Sequence, residues 1–335
     1  MRRLFTGRLI KGLLWIAAVL AIGWSALALY YASGVKPEWT RLALALAPPV
    51  IAIIGAWKLR RFLALLLAGA IFASVLAWWL TITPSNDRDW QPDVARLAYA
   101  TFDGDKVTIH NIRDFDYRTE TDYTVRYYDK TLDLKNIRGI DIVSSYWAGE
   151  LIAHLFLSFG FADGEHIAIS IEIRKEKSES YSTLAGFFRQ YEIIYVAGSE
   201  RDLIGLRTNY RRPAEDVYVY HTRAAPATAR RMFVSYLRTM NHLVDHPEFY
   251  NTLTTNCTTV IVMHTVVNPS PMPRSWKILA SGLFPEYAYE LGYLDDSMPF
   301  RELKQRSHVN ERARAADKAE DFSARIRAVA PASKP

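Results

Sequence analysis

The residue most able to do chemistry is Cys257, the only cysteine of the chain, in the segment Asn256-Cys257-Thr258-Thr259. A lone thiol cannot form an internal disulfide, so it is a buried apolar side chain, an intermolecular bridge or a reactive group. A helix is expected from Cys257 to Val267 despite its β-branched residues, with Thr254, Thr255 or Asn256 as its N-cap. The free N–H groups of a helix start favour a thiolate, which supports the reactive alternative over burial.

A thiolate nucleophile needs a general base within hydrogen-bond reach. Two histidines each open a strand of a predicted antiparallel hairpin, in which Leu155–Phe161 and His166–Ile173 flank the turn residues Asp163-Gly164. His154 precedes the first strand and His166 begins the second. A histidine at the start of a buried strand can face a helix N-terminus packed on the sheet, so both are candidates, with His154 the stronger.

The other histidines are weaker candidates. His264 lies seven residues beyond Cys257, about 10 Å along the same predicted helix, and is expected to pack rather than transfer a proton. His242 and His246 have metal-pair spacing, but Pro247 ends that helix and no third ligand is evident. No cofactor is expected, because the sequence has neither a convincing metal cluster nor a phosphate-binding glycine loop.

Three apolar stretches in residues 1–83 predict a membrane anchor: Leu9–Tyr31, Leu42–Trp57 (which carries Pro48-Pro49) and Phe62–Ile82. Basic residues are dense before the first stretch and between the second and third, which predicts a cytoplasmic N-terminus and a soluble domain across a bacterial inner membrane. The alternative is a cleaved signal peptide, but no small-x-small cleavage site follows a short apolar core.

The charge distribution argues against nucleic-acid binding. Nine of the 41 basic residues and one of the 35 acidic residues lie in residues 1–83, which leaves 32 basic and 34 acidic residues beyond. A phosphate-binding domain is expected to carry its own basic excess.

Residues 84–300 are expected to form an α+β domain, because short β-rich runs are followed by helices. One helix is predicted at Ala227–Val244, and residues 301–330 are expected to form a surface helix with a frayed tail, Pro331–Pro335. The predicted strands are Val107–Ile112, Ile137–Tyr146, Leu155–Phe161, Ile167–Ile173, Ile193–Val196 and Val217–Tyr220.

Several separated motifs resemble the Lnb N-terminal periplasmic domain family over about residues 85–300. They are Asn86–Trp90, Asn111–Phe115, His154–Arg174, Tyr195–Arg207 and Tyr250–Thr259. The resemblance implies a permuted papain-like fold, similar to NlpC/P60 domains, with His154 and Cys257 as the catalytic pair. The permuted branch that includes lecithin retinol acyltransferases has a second histidine twelve residues after the first, as His166 follows His154. Ser170 and Glu172 compete with His166 to orient the His154 imidazole.

The resemblance implies a membrane-anchored thiol acyltransferase or hydrolase whose partner is a lipid or lipoprotein acyl group. Two alternatives stay open: a cell-wall peptidase or amidase of the same fold, and a non-catalytic envelope module that binds a partner. Lipid chemistry predicts an apolar trough, whereas wall chemistry predicts an open polar cleft. The oligomeric state is not predicted.

Overall fold

The computed structural model describes residues 2–328, with side chains described from residue 8. It begins with three long helices: α1 (Arg2–Ala32), α2 (Glu38–Lys58, continuous through Pro48 and Pro49) and α3 (Arg61–Leu80). α1 and α2 cover the first two predicted apolar stretches, and α3 covers the third except for its last two residues. All three are long and apolar enough to cross a membrane.

Much of the apolar surface of these helices is exposed. Val19 and Leu20 on α1, Ile53 on α2 and Phe62 on α3 each expose about two thirds or more of their surface. An exposed apolar surface of this extent is typical of helices that face lipid. The helices form one compact unit together with two short later segments, Ser180–Glu192 and Phe249–Thr252.

The rest of the described chain forms a second unit, built on a mainly antiparallel sheet with helices. Its strands are β1 (Tyr99–Asp103), β2 (Lys106–Arg113), β3 (Asp116–Tyr117), β4 (Tyr123–Thr124), β5 (Tyr127–Asp133), β6 (Ile137–Tyr146), β7 (Ala153–Phe161), β8 (His166–Arg174), β9 (Glu192–Gly198) and β10 (Asp216–His221). Its helices are α4 (Glu200–Gly205, continued by a π-helical turn at Leu206–Tyr210), α5 (Pro226–Asp245), α6 (Cys257–His264), α7 (Phe284–Glu290), α8 (Phe300–Ser307), α9 (Asn310–Ala315) and α10 (Phe322–Arg327).

The main sheet has eight strands in the order β1-β2-β9-β8-β7-β6-β10, with β5 also paired to β2, and β3 and β4 form a separate ribbon. The predicted hairpin is present: β7 and β8 pair antiparallel from Phe156–Ser170 to Gly160–His166. Gly164 occupies its turn with a φ of +85°, a conformation that favours glycine.

Helices cover both faces of the central strands. Phe159 of β7 packs against Phe233 and Tyr236 of α5, with ring centroids 4.8 and 5.6 Å apart. Phe156 lies on the opposite face, because alternate residues of a strand point to opposite sides. It belongs to an apolar core with residues from α4, α9 and α10, including Leu203, Ala313 and Phe322.

The mixed α+β class and the six predicted strands are confirmed, with ends shifted by at most two residues. The prediction of one surface helix at 301–330 is wrong. Three short helices, α8, α9 and α10, fill this region, and the buried Phe322 and Ile326 join the core. The alternating charges of this region made its apolar residues hard to recognise as core residues from the sequence. The tail Pro331–Pro335 lies outside the described residues.

Candidate functional site

Cys257 is the first residue of α6, which begins with a capping box. The side-chain oxygen of Asn256 accepts hydrogen bonds from the backbone N–H groups of Thr258 and Thr259, both at 2.9 Å. The Thr259 hydroxyl in turn accepts from the Asn256 N–H, also at 2.9 Å. This reciprocal arrangement fixes the helix start and therefore the position of the thiol.

The structure brings His154 to Cys257, although 103 positions separate them in the sequence. The imidazole of His154, the second residue of β7, lies beside the Cys257 thiol and interacts with it electrostatically. The backbone N–H of Leu155 faces the same sulfur. α6 packs against β7 and β8, which places its N-terminus beside the start of β7.

Ser170 and Glu172 of β8 both contact His154. Its Nε2 lies 2.7 Å from the Ser170 hydroxyl and 3.1 Å from Glu172 Oε1. The Ser170 hydroxyl donates to the same carboxylate oxygen at 2.7 Å. Because Nε2 faces these two groups, Nδ1 is the nitrogen left for the sulfur, and the carboxylate holds the ring in that orientation.

Sequence reasoning missed Arg207, which secures Glu172. Arg207 lies in the turn that extends α4, is 2% exposed, and donates from Nη2 to Glu172 Oε1 at 2.9 Å. Its other terminal nitrogen donates to the Leu203 carbonyl at 2.7 Å. The Tyr195–Arg207 motif contains this arginine, but only the fold shows that it reaches the carboxylate beside the histidine.

The charges in this cluster shift the pKa of each ionisable member. Burial by itself would lower the pKa of His154, but the adjacent Glu172 carboxylate and the contact with Cys257 raise it to about 9. Burial would raise the pKa of Glu172, and the charges of His154 and Arg207 together with the hydrogen bonds hold it well below its usual range.

The same balance acts on the thiol. Burial would raise the pKa of Cys257, but the hydrogen bond and charge of His154, with the N–H of Leu155, bring it below the ordinary value. The cluster therefore shifts the Cys257 thiol towards the thiolate, beside an imidazole whose own pKa is raised. The thiolate is the nucleophilic form of a cysteine.

Two other candidate histidines lie outside this contact. His166 pairs with Gly160 in β8, so it stands at the far end of the hairpin, about 20 Å along β7 from His154. Its Nδ1 contacts the carbonyl oxygen of Gly164 at 2.9 Å. His264 is held by Tyr195 and Ser235, each at 2.8 Å, and burial lowers its pKa to about 4.

Exposed apolar side chains lie on the loop that precedes His154 in the chain and on a second loop that is hydrogen-bonded to it. Trp147, Leu151 and Ile152 precede His154 with 45–60% exposure, and Trp276 and Leu279 on a neighbouring loop are 67% and 58% exposed. The two loops are bonded together, because the Gly282 N–H donates to the Leu151 carbonyl and the Tyr146 hydroxyl donates to the Gly282 carbonyl. We call these five side chains the apolar rim.

The model of one protein family, the Lnb N-terminal periplasmic domain, matches the chain over residues 123–282. This stretch is an Lnb N-terminal periplasmic domain. The Lnb domain contains all five polar side chains of the cluster: His154, Ser170, Glu172, Arg207 and Cys257. No curated protein and no solved structure matches the chain.

Within the Lnb domain, the residues of the recognised motifs have different structural tasks. Cys257, His154 and Glu172 meet at one place, whereas Asp202 binds Arg113 through paired hydrogen bonds and Glu200 binds Arg327. The Asn86–Trp90 and Asn111–Phe115 motifs lie outside the matched range.

Among the described residues, no group of three or more His, Cys, Asp or Glu side chains is placed to hold a metal ion.

Proposed function

We propose that this protein is a membrane-anchored thiol acyltransferase or hydrolase that acts on the acyl group of a lipid or lipoprotein. The observation that carries the proposal is the juxtaposition of the Cys257 thiol and the His154 imidazole, with Glu172 3.1 Å from that imidazole. A thiol and imidazole in contact, with a carboxylate on the second nitrogen, are the parts that nucleophilic acyl transfer requires.

In the first half-reaction, the Cys257 thiolate attacks the carbonyl carbon of the acyl ester. A carbon–sulfur bond forms, and the tetrahedral intermediate collapses by breaking the bond to the alcohol oxygen. The His154 imidazolium gives its proton to that leaving oxygen, so an alcohol departs and an acyl-thioester remains on the sulfur.

In the second half-reaction, an amine or a water molecule attacks the thioester carbon. Neutral His154 accepts the proton that this nucleophile loses. The carbon–sulfur bond breaks, the thiolate returns, and the product is an amide or a free acid. Glu172 stabilises the imidazolium in both steps, and Arg207 keeps Glu172 ionised.

The negative oxygen of each tetrahedral intermediate needs a hydrogen-bond donor. The N–H groups of Thr258 and Thr259 are occupied by Asn256. The Cys257 N–H, as the first of α6, has no partner within the helix and points where negative charge is favoured. It is the donor that we assign to the oxyanion.

The apolar rim favours a lipid substrate over a cell-wall peptide. Five large apolar side chains are exposed on the loop that precedes His154 and on the loop bonded to it, and acyl chains are the ligands that such a surface would exclude from water. A membrane anchor supports the same substrate class, because a tether raises the local concentration of a lipid.

Basic residues near the start of α1 and between α2 and α3 favour a cytoplasmic N-terminus and a periplasmic Lnb domain.

The test is to trap the acyl-enzyme on the full chain in phospholipid nanodiscs. The substrates are a phospholipid and a diacylated lipopeptide, each with a radiolabelled ester-linked acyl chain. We expect label on the protein that neutral hydroxylamine removes, as it cleaves thioesters, and mass spectrometry should locate it at Cys257. Cys257→Ala should carry no such label, and His154→Ala should carry it only slowly.

His242→Ala is the matched control, because His242 is 53% exposed and lies outside the cluster. It should label as the wild type does. Equal labelling of the wild type and Cys257→Ala with both substrates would contradict the proposal. Turnover of a cell-wall peptide through Cys257, without acyl turnover, would favour the amidase alternative instead.

A further inference from the structure

The segment Ser180–Glu192, which belongs to the same compact unit as the three long helices, contacts the C-terminal end of α3. The Arg189 guanidinium lies over the Trp79 ring, 4.0 Å from its centroid. Arg189 Nη1 also donates to the carbonyl oxygens of Trp79 at 3.1 Å, Leu80 at 3.4 Å and Ile82 at 3.1 Å. Arg189 therefore adds a charged donor at the C-terminal end of α3, where the backbone carbonyls carry partial negative charge.

This helix end marks the edge of the hydrocarbon layer. α3 has 20 residues, and at 1.5 Å per residue it is about 30 Å long, the thickness of a bilayer core. Trp79 lies in its last turn, and the Trp24 ring of α1 packs against it with centroids 5.5 Å apart. Tryptophans at such a position form the interfacial belt of membrane proteins, so Arg189 lies at head-group level.

Phe188 packs the segment against the aromatic residues at this end of the helices. Its ring stacks on Tyr31 with centroids 5.8 Å apart and lies 6.1 Å from the Trp24 ring. Its carbonyl oxygen accepts a hydrogen bond from the Trp79 indole at 3.3 Å, and the residue is only 5% exposed. The chain on either side of Phe188 is therefore held at the surface of the membrane.

The neighbouring apolar side chains are exposed instead. Tyr181, Leu184 and Phe187 expose 52%, 53% and 38% of their surfaces. Three such residues at head-group depth have lipid as their available apolar surroundings. We propose that Ser180–Glu192 is an interfacial element that inserts Leu184 and Phe187 into the phospholipid leaflet at this end of α3, with Arg189 and Tyr181 at head-group level.

The element is held in shape before it meets lipid. Phe249–Thr252 runs beside it, with hydrogen bonds from the Tyr250 N–H to the Tyr191 carbonyl at 2.9 Å and from the Thr252 hydroxyl to the Thr183 carbonyl at 2.8 Å. At Gly186 a Cβ atom would clash with that hydroxyl, which would have to give up its hydrogen bond to make room, so glycine permits the close approach. A preformed element presents its apolar side chains with little further loss of conformational entropy.

The test measures the depth of residue 184 in the full chain. In a Cys257→Ser background, which has no other thiol, Leu184→Cys carries an environment-sensitive fluorophore in phosphatidylethanolamine–phosphatidylglycerol nanodiscs. We expect a blue-shifted emission that lipids with a nitroxide near the head group quench strongly, and that aqueous iodide hardly affects. Lipids with the nitroxide deep in the acyl chain should quench it less.

Two control positions in the same unit calibrate the depth. Lys36→Cys, in the loop between α1 and α2, should be quenched by iodide, and Val19→Cys, in the lipid-exposed part of α1, should be quenched best by the deep nitroxide. A label at residue 184 that behaves like the one at residue 36 would overturn the proposal. The readout uses no enzymatic activity, so its outcome is independent of the proposed acyl transfer.

Discussion

Two buried polar clusters lie on the same face of β7, about 13 Å apart along the strand. The first joins His154, Ser170, Glu172 and Arg207 to the Cys257 thiol. The second joins Ser158, Asp141, Glu200 and Arg327, in which the Arg327 guanidinium binds both carboxylates and the Ser158 hydroxyl donates to Glu200 at 2.6 Å. Each therefore contains an arginine, a serine and at least one carboxylate.

The two clusters differ in the groups that bind their carboxylates. In the first, one oxygen of Glu172 serves Arg207, Ser170 and a histidine whose other nitrogen contacts a thiol. In the second, Arg327 binds both carboxylates and the exposed His221 binds Asp141, but the cluster contains no thiol. A buried ion pair without a nucleophile is a structural contact, and it becomes a candidate catalytic device when a titratable group links it to a nucleophile.

The largest expected effect is a loss of acyl-transfer activity in a variant of the first cluster but not in a variant of the second. His154→Ala removes the proton carrier of the first cluster, and we expect kcat/KM for acyl transfer to fall by about 10²- to 10⁴-fold. Steady-state rates with the labelled lipopeptide measure this. His221→Ala, at an 80% exposed histidine bonded to Asp141 of the second cluster, should leave the rate near the wild-type value. Equal losses in the two variants would remove the distinction.

The second prediction separates the clusters by stability. Arg327→Met leaves Asp141 and Glu200 buried without their cation, and we expect a loss of about 3–5 kcal/mol in the free energy of unfolding. Thermal denaturation of the full chain in nanodiscs measures this as a lower Tm. The pH profile of the remaining folded enzyme should keep its wild-type shape, and a shifted profile would show that the clusters are coupled.

The third prediction concerns the pH range of the first cluster. Glu172 raises the pKa of His154 to about 9, so the imidazolium persists up to that pH and activity should decline above it. Glu172→Gln removes the negative charge, and the pKa of His154 should fall towards about 6.5. The alkaline limb of kcat/KM should therefore move to lower pH, whereas an unmoved limb would assign it to another group.

The smallest expected effect is at Ser170. Ser170→Ala removes one hydroxyl between His154 and Glu172 but leaves their direct 3.1 Å contact. We expect a loss of about 0.5–1.5 kcal/mol of transition-state stabilisation, read as kcat/KM, with the pH limits nearly unchanged. A loss as large as that of His154→Ala would give the serine a more central role.

The sequence predicted the parts of this site that depend on local pattern. The start of α6 followed from the polar residues before an apolar run, and the hairpin followed from two apolar strands around Asp163-Gly164. Once β8 is a strand, its period of two places Ser170 and Glu172 on one face. Local sequence pattern therefore placed Cys257 at a helix start and Ser170 and Glu172 on a strand.

The rest depended on tertiary packing. Arg207 lies on a helical turn whose distance from β8 no local pattern encodes, and Arg327 lies in a charged segment that resembled a solvent-exposed helix. His166 has the spacing of a known second histidine, but the register of the hairpin puts it at the opposite end of β7 from His154. Charged residues are hard to assign from sequence because their burial requires partners that are distant in the chain.

The presence of His154 beside Cys257 lowers the pKa of the thiol, and this effect is central to the proposed chemistry. Cys257 is the only thiol in the chain, so the rate of its alkylation by iodoacetamide as a function of pH reports on this group alone. We predict a half-maximal rate at lower pH in the wild type than in His154→Ala, where the thiol loses its charged partner. Identical profiles for the two proteins, each with the pKa of an ordinary cysteine, would contradict the account.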